Sequence, residues 1–355
     1  MKRGLVVRDR SEIADAEWDG RVDAVQSVMA EQGLDFVLVY GDVFRSDDIG
    51  YLTNLCIYWN EGVVAVPAQG PPLFLTKLSQ RVHSWMRLTS TMTDLRSGKS
   101  FGDLVTGLAA EGGTGTLGLV DADLWPASIV DEIREAIPGW DLRMLGSLVR
   151  DQRAIPSPAE LALLRTGAAH LSNAVDTASA PGLSTTERIA SLERDIRGGG
   201  FTDVAIQTDL TDDGLLSLQV SGEYRHGWPH ASRLVATDGP TPLLHMLPAA
   251  LAAAIRSVRP GVDWDTLTAA AERELVGLAD DAVWELRCVN QADMATNGEL
   301  LAAAHHRRAP EVGEVVVLSL EVLHSGAARS VVAETILISA DGAEPLTITK
   351  GVNEA

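Results

Sequence analysis

Two β-branched runs toward the C-terminal end constrain the fold of this chain more than any other stretch. Residues 315–349 read VVVLSLEVLHSGAARSVVAETILISADGAEPLTIT, and a small polar connection from His324 to Ser330 divides them. That composition predicts an antiparallel hairpin. Side chains alternate faces along a strand, so Ser319, Glu321 and Leu323 share one face of the first run, and Val332, Glu334 and Ile336 one face of the second. A hairpin centred on the connection is expected to bring Glu321 and Glu334 close to opposite each other. Each carboxylate interrupts an apolar strand, where an unpaired ion is costly. A positive group is therefore expected between them: a metal ion, a cationic ligand group or an arginine of the chain. The plainer alternative is two glutamates facing water on a half-exposed sheet.

The 355 residues as a whole are ordinary globular material, 46% hydrophobic and 22% charged, enough for two domains. No apolar run reaches the length of a membrane span, and the first twenty residues lack the apolar core of a signal peptide, so a soluble, cytoplasmic protein is expected. A net charge of -20 argues against nucleic acid and anionic membranes as partners. The two cysteines, Cys56 and Cys288, suggest neither a disulfide framework nor a thiolate metal site.

Read in order, apolar residues at helical spacing (Val22, Val25, Met29) precede Gly33 and the run from Phe36 to Tyr40, a helix feeding a buried strand. Further strands are expected at 62–67, 72–76 and 116–120, with helices at 78–87, 101–111 and 126–136. This is an α/β domain over residues 1–152. Its one histidine, His83, reads as a packing or solvated residue. The remainder, 153–355, opens on Ser157-Pro158-Ala159-Glu160, an N-cap, a helix-starting proline and a capping-box glutamate, with the helix reaching about Ala178. Ser184 to Glu187 repeats the device. Strands over 201–238, helices over 245–258 and 264–278, and the closing hairpin complete a duplicated α+β arrangement.

This order of elements resembles the creatinase and aminopeptidase P superfamily, the pita-bread fold. The resemblance rests on Ile49-Gly50-Tyr51-Leu52-Thr53-Asn54 in the first domain. In the second it rests on the helix from Pro156 to Arg165, on Val258-Arg259-Pro260-Gly261-Val262, on Val312 to Glu321, and on Asp341 to Thr347. It implies a dimer in which the partner's N-terminal domain completes the active site. Peptidases of the family hold two metals with two aspartates, one histidine and two glutamates. Here Val220 falls at the first aspartate, His230 or Ala231 near the second, and the stretch from Leu286 to Met294 has no histidine. Two glutamates alone cannot hold two close divalent ions. No cofactor and no metal are therefore expected.

Creatinase, the metal-independent branch, cleaves a carbon-nitrogen bond with a histidine as proton shuttle and glutamates on a guanidinium. By that resemblance the chain is expected to be a metal-independent hydrolase or lyase for a small amino-acid-derived or guanidino substrate. The segment Tyr224-Arg225-His226-Gly227-Trp228-Pro229-His230-Ala231-Ser232-Arg233 supplies the candidates. His230, its pKa raised by nearby carboxylates, would act as acid and base beside Glu321 and Glu334. Arg233 would clamp a carboxylate, Trp228 would wall the pocket, and Tyr224, His226 and His324 would line the substrate. Arg233 as an internal countercharge for the glutamates fits the sequence equally well. His305 and His306 read as part of a basic loop, and Cys288 as a small buried residue. A binding domain without chemistry, or an enzyme holding a single metal on Glu321, Glu334 and His230, is the alternative.

Overall fold

Helix α1 (Asp15–Gln32) ends where Gly33 takes φ 65°, a left-handed conformation that only glycine adopts without strain. In the computed structural model, which describes residues 9–57, 60–237, 239, 241–278, 282–293, 310–324 and 328–347, it starts the first of two units, Met1–Arg153 and Ala154–Ala355. The first unit continues with β1 (Phe36–Asp42), α2 (Asp47–Thr53), β2 (Glu61–Pro67), β3 (Leu73–Thr76), α3 (His83–Thr89), β4 (Asp94–Ser97), α4 (Phe101–Gly112), β5 (Thr116–Leu119), α5 (Ala127–Ala136), β6 (Asp141–Met144) and α6 (Leu148–Arg153).

These strands form one sheet in the order β4-β3-β2-β1-β5-β6. Consecutive Val37, Leu38 and Val39 are all buried because separate apolar cores cover both faces. The edge strands β4 and β6 were not visible in the hydrophobic pattern. Each carries a local ion pair, Arg96 with Asp94 at 3.0 Å and Arg143 with Asp141 at 3.0 Å, which suits an edge and hides the apolar signal. His83 is buried, its Nε2 2.8 Å from Ser97 Oγ, and burial lowers its pKa.

The second unit comprises α7 (Pro158–Ala178), α8 (Thr185–Gly198), β7 (Asp203–Leu210), β8 (Leu215–Glu223), β9 (His230–Ala236), α9 (Leu243–Ser257), α10 (Trp264–Glu272), β10 (Val283–Asn290), β11 (Val315–Leu323), β12 (Arg329–Ser339) and β13 (Gly342–Pro345). Both expected capping boxes form: Glu160 N–H donates to Ser157 Oγ at 3.1 Å, and Glu187 N–H to Ser184 Oγ at 3.3 Å. Helix α10 stops six residues earlier than expected, in turns that tuck Leu275 into the core and set Gly277 at φ 97°.

The antiparallel sheet runs β10-β11-β12-β9-β8-β7, with β13 beside β12. Helices α7 and α8 cover one half of one face and α9 and α10 the other half, while on the second face α7 reaches only the end at Val315 and Leu337. Between β8 and β9 the chain reverses through Arg225 (φ 51°) and His226 (φ 74°), with Tyr224 and Gly227 exchanging both backbone hydrogen bonds. Two non-glycine residues at positive φ are unusual in such a turn.

Candidate active site

Strand register assigns each candidate side chain to a face. On the face away from the helices, Asp209, Gln207 and Ala205 of β7 stand beside Ser217, Gln219 and Ser221 of β8. Ser221 pairs with His230 of β9. From the other end, Glu285, Arg287 and Val289 of β10 stand beside Glu321, Ser319 and Val317 of β11. All of these except Ser217 and Glu285 line a cavity of about 270 Å³, with the glutamines, Asp209 and His230 on one side and Arg287, Glu321 and Arg329 on the other.

Glu321 and Glu285 lie directly opposite each other, an arrangement of like charges that destabilises a sheet unless compensated. Arg287 compensates it. One of its nitrogens lies 2.7 Å from Glu285, another 3.5 Å from Glu321, and Arg329 approaches the second oxygen of Glu321 at 3.3 Å. The positive group expected against Glu321 is thus a pair of arginines of the chain. Nothing in the chain's motifs flagged Glu285, Arg287 or Arg329, yet the alternation Glu285-Leu286-Arg287-Cys288-Val289 carries the period-two signal of a half-polar strand.

The expected pairing of Glu321 with Glu334 does not form. Glu321 stands opposite Val331, whereas Glu334 stands opposite Leu318. The two glutamates are an odd number of positions out of step and project from opposite faces. Glu334 is buried on the helix side, accepting from Arg233 Nη1 at 3.2 Å and from Thr347 Oγ1 at 2.5 Å. Arg233 also donates to Asp176 of α7 at 3.2 Å and to the Ser232 carbonyl at 2.9 Å. It ties helix to sheet as an internal countercharge and does not line the cavity that holds Glu321 and His230.

His230 is half-buried at the cavity wall. Its backbone is fixed by Thr335, whose Oγ1 accepts from His230 N–H and donates to His230 O, both at 2.8 Å. Its Nδ1 is shielded from water and has no hydrogen-bond partner among the described residues. Burial pushes its pKa down to about 4, the reverse of the expected rise, because Glu334 lies behind the sheet. The imidazole is neutral at pH 7. Trp228 is fully buried away from the cavity, and Tyr224 packs on Phe201 with ring centroids 5.1 Å apart. His226 occupies the β8–β9 turn, and His324 Nε2 lies 2.9 Å from Ser330 Oγ at the hairpin end. His305 and His306 lie outside the described residues.

A mixed α/β unit followed by a curled antiparallel sheet with paired helices on one face matches known proteins. Residues 21–155 match the creatinase/prolidase N-terminal domain. Solved structures similar over nearly the whole length include prolidase from Pyrococcus horikoshii (TM-score 0.74, 15% identity, 93% of this chain and 99% of that one). The Xaa-Pro dipeptidase from Bacillus anthracis gives 0.74, 17%, 94% and 98%, and the X-Pro aminopeptidase from Thermotoga maritima 0.74, 13%, 92% and 97%. The chain has the pita-bread fold. No curated protein matches it in sequence.

A two-metal centre, which the pita-bread resemblance implies, does not fit the described residues. Val220, at the first aspartate's place in the motif, packs with Leu171 and Ala174 and offers the cavity it borders no lone pair for a metal. Among the described residues no three His, Cys, Asp or Glu side chains gather as a metal-binding group, and Glu321 already carries two guanidinium partners. Nor, among the described residues, is any helix long and apolar enough to cross a membrane.

Two outcomes follow for stability. Glu334→Gln, which leaves Arg233 with only part of its buried countercharge, should lower unfolding free energy by about 2–3 kcal/mol in urea titrations, against about 1 kcal/mol or less for Glu321→Gln. Separately, His230 binds a proton near pH 4 when folded and near pH 6.5 when unfolded, so the unfolded chain takes up more protons in that window. The contribution is complete above pH 6.5 and is lost as pH falls toward 4. Unfolding at pH 5 should take up about one proton more than the His230→Asn variant does, measured by the pH dependence of the urea midpoint.

Proposed function

We propose that this chain is a metal-independent, creatinase-like hydrolase of the cytoplasm that cleaves a carbon-nitrogen bond in a small amino-acid-derived substrate. The observation that carries this reading is a half-buried histidine, His230, at the wall of a cavity that also holds Asp209, Arg287, Glu321 and Arg329. The structural likeness to a prolidase, an Xaa-Pro dipeptidase and an X-Pro aminopeptidase supports hydrolysis of a carbon-nitrogen bond next to an amino-acid unit.

Charge selects the substrate class. A guanidinium would want two free carboxylates, but Glu321 is held by Arg287 and Arg329, and Glu285 by Arg287. Arg329 is largely exposed at the cavity edge and has donors to spare, while Asp209 and the glutamine pair Gln207 and Gln219 offer acceptors across from it. A zwitterion suits that layout, its carboxylate on Arg329 and its amino group toward Asp209. His230 and Glu321 sit two strands apart and four positions apart in register, about 10 Å laterally and about 13 Å along the strands, so His230 stands at one end of the cavity and Glu321 with its arginines at the other. Neutral His230 takes a proton from water as the new carbon-oxygen bond forms and returns it to the leaving nitrogen as the carbon-nitrogen bond breaks.

The test is amine release from a panel of dipeptides and N-acyl amino acids, with and without chelator. Turnover indifferent to chelator is expected, with kcat reduced at least about a hundredfold in His230→Asn and KM raised about tenfold in Arg329→Gln. Loss of activity to chelator, full activity in His230→Asn, or tight binding of the panel with no turnover would each contradict the reading.

A further inference from the structure

A second cavity, of about 330 Å³, lies on the helix-covered face of the same sheet, beneath α9. Helix-sheet interfaces are close-packed, and voids much larger than a water molecule are few. This one is walled by Leu244, Leu251, Ala252 and Ile255 of α9 and by Leu234 and Val332 of the sheet. At its floor Glu334 is already satisfied by Arg233 and Thr347. At its mouth stands Arg256, exposed and without a partner among the described residues. An apolar throat with one uncommitted cation at the rim complements an aliphatic chain ending in an anionic head.

The floor connects to the opposite face. Thr347 Oγ1 donates to Glu334 and accepts from Thr335 N–H at 2.8 Å, and Thr335 Oγ1 holds both backbone groups of His230 at 2.8 Å. Anything that displaces Glu334 or Thr347 therefore shifts the backbone that carries His230, through consecutive hydrogen bonds.

We propose that the cavity beneath α9 binds an aliphatic monocarboxylate, head on Arg256 and chain among the leucines, and that its occupancy is transmitted through Thr347 and Thr335 to His230. Binding is read without turnover, so this inference stands or falls separately from the reaction proposed above.

The experiment titrates sodium octanoate into the full-length protein by calorimetry, with parallel NMR of the histidine ring protons. Saturable binding is expected in the unaltered chain, about fivefold weaker in Arg256→Gln and absent in Ala252→Trp, with the His230 resonances shifting on saturation. Arg256→Gln changes only an exposed side chain and keeps the test open if Ala252→Trp fails to fold. No saturable binding, or equal affinity in Arg256→Gln, overturns the site. Undiminished binding in a folded Ala252→Trp does so too. Binding that leaves the His230 resonances unmoved overturns the link to the other face.

Discussion

Side-chain parity along β11 and β12 governs everything built on this sheet. Leu323 pairs with Arg329 across a connection holding an odd number of residues, so residues of unlike parity on the two strands can never share a face. Glu321 and Glu334 are of unlike parity. One more or one fewer residue in the connection would bring them together, but would also turn Val316, Leu318 and Leu320 out of the core they fill with α9 and α10. Burial of that apolar stripe fixes the register, at about 1.5–3 kcal/mol for each large side chain, and the glutamates go where it sends them.

Two charge clusters with different duties result. On the helix side, Arg233 joins Glu334 of β12 to Asp176 of α7, and Thr347 fills the remaining side of Glu334. Every charge there has a near partner, as burial in low dielectric requires. On the open side, Arg287 and Arg329 surround Glu321 at the edge of a cavity, where their spare donors remain available. His230 belongs to the second group by position, and burial holds its pKa low enough to leave it neutral.

The fold was legible in the chain because it is written in local signals: the Ser157 and Ser184 capping boxes, the glycine stop after α1, and the buried run at β1 each specify their element without help from elsewhere. Strands β4 and β6 escaped because four residues with two charges carry too little apolar period to register. The site was only half legible. Glu321 could be picked out as a polar interruption of a strand and His230 from the motif His226-Gly227-Trp228-Pro229-His230, and both reach the cavity. Which carboxylate faces which depends on register, and register is set by the core across the whole hairpin. The arginines stayed hidden for the same reason, since Arg287 acquires its meaning only when β10 is laid beside β11.

The separation of the two glutamates is most directly measured by double-mutant cycles in urea. The register predicts that Glu321→Gln and Glu334→Gln add within about 0.5 kcal/mol, whereas Glu334→Gln and Arg233→Met couple by more than about 1 kcal/mol. A coupling above about 1 kcal/mol between the two glutamates, with Arg233 and Glu334 behaving independently, would mean that the acids share a face and that the account is wrong.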